Sequence, residues 1–179
     1  VFGDFTVYLV HRLMHRIPAL WAFHSVHHSA QTLNPVTQLR LHPVELFINN
    51  LRSLVVFGLV MGLFDYLAGS RVEPLVFLGV NVFSFAFFAL GANLRHSHIP
   101  LRFWHGVEHV LCSPFQHQIH HSRDVAHHDR NFASKFTVWD WMFGTLVTSR
   151  GVASVEFGLD EYHTHRQTLL AALMHPFRA

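Results

Sequence analysis

Two long apolar runs interrupt a chain that is otherwise a mixture of apolar and polar positions. Residues 74–92, PLVFLGVNVFSFAFFALGA, hold no charged side chain over 19 positions. At about 1.5 Å per residue, a helix of that length nearly crosses a ~30 Å hydrocarbon core. Residues 54–69, LVVFGLVMGLFDYLAG, are shorter and contain Asp65. They reach a spanning length only if the helix begins near Pro43, which puts Glu45 and Arg52 inside it. Residues 70–74, SRVEP, suit a tight turn. The pattern therefore predicts a transmembrane hairpin whose outer ends return to one membrane face. Pro43 with Glu45, Glu73-Pro74 and Ser113-Pro114 read as helix starts, and strand-type alternation is weak throughout. The expected fold is all-α, an integral membrane helical bundle.

Composition agrees. Half of the 179 residues are hydrophobic and only 13% are charged, against about 25% in a soluble domain. The lone Cys112 excludes a disulfide framework and any multi-cysteine metal site. A net charge of +2, scattered along the chain, excludes a nucleic-acid footprint. The outlier is histidine, at 18 residues. Six lie at or before His42, twelve lie from His96 onward, and none falls between. The hairpin brings the two sets to one membrane face. Nearly all Lys and Arg flank the hairpin and the turn carries only Arg71, so the positive-inside tendency makes that face cytoplasmic.

Three clusters have metal-ligand spacing: His11 and His15 in HRLMH, His24, His27 and His28 in HSVHH, and His117, His120 and His121 in HQIHH. Offsets of three and four put imidazoles on one stripe of a helix. These eight histidines exceed what one tetrahedral zinc needs and suit two metals. Imidazole accommodates Zn, Cu, Fe and Ni alike, so spacing does not choose the metal. A soluble di-iron bundle would use paired Glu-x-x-His motifs, which are missing here.

The stretch DFTVYLVHRLMHRIPALWAFHSVHHSAQTLNPVTQLRLHPVE, followed later by SPFQHQIHHSRD and DRNFASKFTVWDWMFGT, resembles the fatty acid hydroxylase/sterol desaturase superfamily in its bacterial branch. These are membrane di-iron, histidine-box oxygenases. The resemblance runs from Asp4 to about Phe177 and treats residues 1–179 as a single catalytic domain. Family members carry further transmembrane helices ahead of the first box. Because the chain opens Val1-Phe2-Gly3 without Met and shows no signal peptide, it is expected to lack such N-terminal helices.

The resemblance also implies a ligand after the hairpin, and NLRHSHIP places His96 there. The expected metal set is His11, His15, His24, His27, His28, His96, His117, His120 and His121. His98 and His42 are candidates for a further ligand or for supporting roles, His42 sitting in the HPxE element as a possible start of the following helix. Asp4 lies two helical turns before His11 and is a candidate to orient a ligand. Asp140, in the Trp-Asp pair, is expected to hold structure near the site. His105 and His109 suit an interfacial helix face. His127, His128, His163, His165 and His175 read as surface residues, and Asp65 as a side chain reaching back to the turn.

The family implies two iron ions, with zinc expected to substitute in purified protein. It also implies O2-dependent hydroxylation or desaturation of a lipid C–H bond in a fatty acyl, sterol or related substrate. Electrons would come from a reductase with a ferredoxin or cytochrome b type carrier, since the chain has no haem, flavin or nicotinamide motif. Two alternatives compete with this reading. A His-rich membrane metal-binding or transport protein would place ligands near the bilayer midplane, where the apolar runs hold no histidine. A zinc-dependent membrane hydrolase would want a carboxylate base inside a box, and none has one.

Overall fold

The computed structural model describes residues 1–73, 76–77, 80–89, 92–159 and 168–177. Helix α1 (Phe2–Arg16) ends where Ile17 turns extended, at φ −100° and ψ 114°, and Pro18 starts α2 (Pro18–His28). That break follows from chemistry: a residue before proline is pushed out of the helical region, while proline itself suits a first helical turn. The two helices fold against each other and carry the first five box histidines.

His42 caps the next helix, α3 (Pro43–Ala68), as the HPxE element suggests, and Gly69 ends it in the left-handed region at φ 65°. α3 has 26 residues, about 39 Å of helix. It is the one helix among the described residues that is long and apolar enough to cross a membrane, and none of its most apolar stretch is buried. Leu54, Phe57, Leu59, Leu63, Phe64 and Leu67 are all exposed. Only its first part joins the body of the protein. Glu45 is buried, and Arg52 donates to the Gly3 carbonyl at 3.2 Å and the Thr6 hydroxyl at 2.9 Å. Asp65 accepts the Val72 N–H at 2.8 Å, so its charge stays at the turn as expected.

The second predicted span is not a continuous helix. Val76–Phe77 (β1) pairs antiparallel with Val80–Asn81 (β2), and α4 (Val82–Ala89) has only eight residues, about 12 Å. Two features of the run explain this. Val76, Phe77 and Val80, in the paired strands, favour extended backbone over helix. The Asn81 side chain accepts the N–H groups of Phe83 and Ser84 at 3.1 and 3.2 Å, which starts the helix at residue 82. The described residues therefore contain one candidate span, and a hairpin of two crossing helices is not formed among them. The chain still returns: a 3₁₀ turn at Ala92–His96 packs on α5.

α5 (Pro114–His120) is the centre of the molecule, with every residue buried. A reciprocal cap starts it. Ser113 Oγ accepts the Gln116 N–H at 3.2 Å and the Gln116 side chain accepts the Ser113 N–H at 2.9 Å, the arrangement that satisfies two otherwise bare donors. Ser113 Oγ also donates to buried Glu108 at 2.7 Å. Around α5 wraps the segment leading into α6 (Val138–Met142). Tyr8, Phe132 and Ala133 form an apolar core there, with Phe5 and Trp139 against it. A short C-terminal helix, α7 (Leu169–Met174), completes the described fold.

Candidate metal centre

All nine histidines selected from the sequence converge. They form two groups: His11, His15, His24, His28 and His120 in one, and His27, His96, His117 and His121 in the other. Within each group the candidate ligand nitrogens lie within 4.8 Å of one another. The groups adjoin, with the rings of His28 and His121 4.4 Å apart and those of His117 and His120 5.5 Å apart.

The split interlocks the two HxxHH boxes. From the first, His24 and His28 join the five-histidine group while His27 joins the other. From the second, His117 and His121 join the four-histidine group while His120 crosses over. Successive helical residues are about 100° apart, so residues i and i+4 flank one direction and residue i+3 points to the other side of the stripe. Each box thus gives two imidazoles to one position and one to the other.

Three rings are oriented by their outer nitrogen. His11 Nδ1 donates to the Phe132 carbonyl at 2.8 Å, His120 Nδ1 to the Arg130 carbonyl at 2.7 Å, and His24 Nδ1 to the Glu45 carboxylate at 2.8 Å. These oxygens only accept, so each ring keeps its proton on Nδ1 and turns Nε2 inward. Both carbonyls come from one loop. Asn131 between them is left-handed, at φ 55°, and its buried side chain donates to the carbonyls of Gln116 and Val147 at 3.1 and 2.9 Å. The left-handed residue is favoured in Asn and lets the carbonyls on either side reach two different histidines.

Facing inward, His11 Nε2 and His24 Nε2 stand 3.1 Å apart. In the other group His27 and His96 Nε2 are 3.1 Å apart, His96 and His117 3.0 Å, and His117 and His121 3.2 Å. Buried Nε2 atoms of His15, His28 and His120 find no hydrogen-bond partner among the described residues. A bare buried polar atom costs about 1–3 kcal/mol, and an ion amid them recovers that cost. Burial is the main force holding these rings neutral, with repulsion among them adding to it. It lowers His11, His15, His27, His28, His117 and His121 well below the usual imidazole value. It takes His96 to about 4, helped by the adjacent Arg95 charge, and His120 to about 3. Neutral, buried, inward-facing imidazoles are the donor set that two transition-metal ions need.

A cleft of about 320 Å³ opens onto this centre, lined by His15, His28, His120 and His121 with Trp21 and Asp129 at its walls. The remaining candidates lie outside both groups. His98 is exposed. His42 is spent on the start of α3: its Nδ1 accepts the Val44 N–H at 3.1 Å and its Nε2 donates to the Leu173 carbonyl at 3.2 Å. Asp4 does not touch His11. It accepts the N–H groups of Lys135 and Phe136 at 3.2 Å each and the Trp139 indole at 2.9 Å, which ties α1 to the segment before α6. Asp140 accepts the N–H groups of Phe132 and Ala133 at 2.9 and 2.8 Å and the Thr145 hydroxyl at 2.6 Å, so it holds the loop that orients His11. Burial pushes its carboxyl up, and these three hydrogen bonds oppose that. His109 Nδ1 donates to the His105 carbonyl at 2.8 Å, away from the centre. His128 is exposed, His127 is half-buried with Nδ1 3.0 Å from the Ser122 hydroxyl, His175 is half-buried, and His163 and His165 lie outside the described residues.

Sequence reasoning missed Glu45, which stood out only as a helix-start residue, and it missed the carbonyls of Arg130 and Phe132. No sequence signal marks a carbonyl. For Glu45 the signal was its place in the first turn of a helix beginning directly after His42.

Among the described residues, nine clustered imidazoles stand beside one uncovered helix of membrane-spanning length. The chain belongs to the fatty acid hydroxylase family, whose model matches residues 1–145. It is 29% identical over 150 residues to an alkylglycerol monooxygenase of Caenorhabditis elegans, which covers 83% of this chain and 26% of that protein. Ornithine lipid hydroxylase OlsE of Rhizobium tropici is 28% identical over 89% of this chain and 44% of its own length. Human cholesterol 25-hydroxylase is 30% identical over 82% of this chain and 48% of its own length. Animal and bacterial relatives match about equally well, so a bacterial branch is not singled out. The chain spans about a quarter to a half of the length of these curated relatives. No solved structure gives a significant match.

Proposed function

We propose that the nine histidines hold two iron ions, and that the protein is the metal-binding part of a membrane oxygenase that hydroxylates a C–H bond of a lipid. The observation that carries this reading is the inward Nε2 pair of His11 and His24, 3.1 Å apart on rings whose Nδ1 protons point to Phe132 and Glu45, beside the bare inward Nε2 of His120, whose Nδ1 is held by Arg130. When bound, the iron pair supplies activation of O2 for attack on an unactivated C–H bond. The protein's own part is positional. His11, His24 and His120 are locked in tautomer and orientation, burial keeps the other rings neutral, and the cleft beside His28 and His121 gives small reactants a route inward.

Hydroxylation is favoured over desaturation because the matched relatives are named monooxygenases and hydroxylases. Their names also favour a lipid substrate. α3 enters the site directly from its uncovered apolar stretch, so a lipid would approach from the bilayer. The excess of Lys and Arg near the histidines favours a cytoplasmic face for the centre. There a reductase with a ferredoxin or cytochrome b type carrier would deliver electrons.

The test is metal analysis of the purified protein, joined to lipid profiling of a host that expresses it or its His121→Ala variant. About two ions per chain and a hydroxylated lipid present only with the unaltered protein are expected. A protein that takes up no metal, or a lipid profile unchanged by His121→Ala, would sink the proposal.

A further inference from the structure

The two histidine groups sit in different electrostatic surroundings. Of the three rings oriented by a hydrogen bond in the five-histidine group, two donate to neutral carbonyls and one, His24, donates to an anion. The Glu45 carboxylate and the His24 ring are each only 4% exposed. Glu45 Oε1 accepts the His24 Nδ1–H, and Oε2 finds no hydrogen-bond partner among the described residues. A buried carboxylate needs positive charge nearby, and the ring it holds leads straight to the point where five nitrogens converge. The four-histidine group has no carboxylate in contact with its rings among the described residues. Its near charge is the Arg95 guanidinium, next to His96 in sequence and held to the Ser134 carbonyl and hydroxyl at 2.6 and 2.9 Å. A positive charge beside this group works against a metal cation there. The two positions also differ in access: three of the five histidines in the first group line the cleft, against His121 alone in the second.

Resting on the reading that these histidines hold two metal ions, we infer that Glu45 is a positioning residue for the five-histidine position alone. It makes that position the tighter of the two for a divalent cation. Glu45 fixes the His24 ring with Nε2 inward and places a negative charge one imidazole away from the ion. A carboxylate behind a metal-bound histidine raises the ring's basicity, and losing such a partner generally weakens binding 10–100-fold. Glu45 also sits in the first turn of α3, so the membrane-length helix and the tighter position share one side chain.

The experiment is a stepwise titration of the full chain with Co²⁺ in detergent, read by visible absorption and by chelator competition. Mössbauer spectra of ⁵⁷Fe-loaded protein accompany it. The unaltered protein should bind two ions in two resolved steps and show two iron environments. Glu45→Gln keeps an acceptor for the His24 proton and removes the charge. It should weaken the first step about 10–100-fold, leave the second within about twofold, and shift one iron environment only. His27→Ala should remove the second step and spare the first. Glu45→Ala should weaken the first step at least as much as Glu45→Gln, and where it fails to fold the Gln variant decides. If Glu45→Gln leaves both steps unchanged, or weakens both alike, the assignment of Glu45 is overturned while the metal centre stands. If the unaltered chain binds no Co²⁺ and no iron, the metal reading itself falls and takes this inference with it.

Discussion

The imidazoles of His28 and His121 lie face to face, with ring centroids 4.4 Å apart and 21° between their planes. They are 93 residues apart in sequence, and each closes its own box. His28 belongs to the five-histidine group and His121 to the four-histidine group, so this stack is the seam between the two positions. A change at either ring is felt on both sides of it.

Replacing His28 with Ala should therefore lower metal content by at least one ion per chain and abolish turnover. His98→Ala, at an exposed position, should retain full metal and activity. Metal analysis of the two variants purified side by side checks this. Zinc in overexpressed protein agrees with the assignment, since nitrogen sites bind Zn²⁺ more tightly than Fe²⁺. A His98→Ala protein as depleted as His28→Ala would show that the wrong histidines are assigned.

Asp140→Asn should destabilise the fold by about 2–4 kcal/mol, because the amide can no longer accept two buried N–H groups and a hydroxyl together. The loss should reach the metal centre. Asp140 holds the Phe132 backbone N–H, and the Phe132 carbonyl sets the His11 ring. Denaturant unfolding of the metal-free protein measures the first effect and metal affinity the second. Normal stability with normal affinity would remove Asp140 from this role.

Cys112 gives a clean pH test away from the histidines. Burial pushes its thiol from 9.0 up to about 12. The folded protein therefore keeps a proton that the unfolded chain releases. Stability from this group is fully present below pH 9 and is lost as pH rises through the window from about 9 to about 12. At pH 8.5 a thiol reagent should label Cys112 only as fast as the protein opens, and Cys112→Ser should flatten the alkaline fall in stability. Rapid labelling of the folded protein would contradict the burial.

The uncovered face of α3 predicts a membrane partner. Leu59→Arg, in the middle of the exposed apolar stretch, should weaken membrane insertion by about 2.5–3.5 kcal/mol, read as a shift from the membrane to the soluble fraction. Val125→Arg, at an exposed site on a surface turn, should not. Equal fractionation of both variants would mean that α3 does not insert.

Much of the centre was legible in the sequence because its signals are local. Helix period alone put His24, His27 and His28 on one stripe, and likewise His117, His120 and His121. Ser113-Pro114 announced α5, and HPxE announced the start of α3. The second span was misread because hydropathy alone does not distinguish a helix from extended backbone. Val76, Phe77 and Val80, with Asn81 capping residues 83 and 84, decided against one long helix.

The sequence by itself determined eight of the nine imidazoles that gather, since residue type and helical spacing are properties of short segments, and the family resemblance added His96. Helical period set the two-plus-one split within each box, and tertiary structure decided which partners each side meets. His27 leaves its neighbours for His96, His117 and His121, and His120 leaves its own for His11 and His15, because each faces a different segment across the stripe. The hydrogen bonds from His24 to Glu45 and from His11 to Phe132 span 21 and 121 positions. No local rule reaches that far. Such pairs form only where packing has already brought distant backbone together and a buried N–H must find an acceptor.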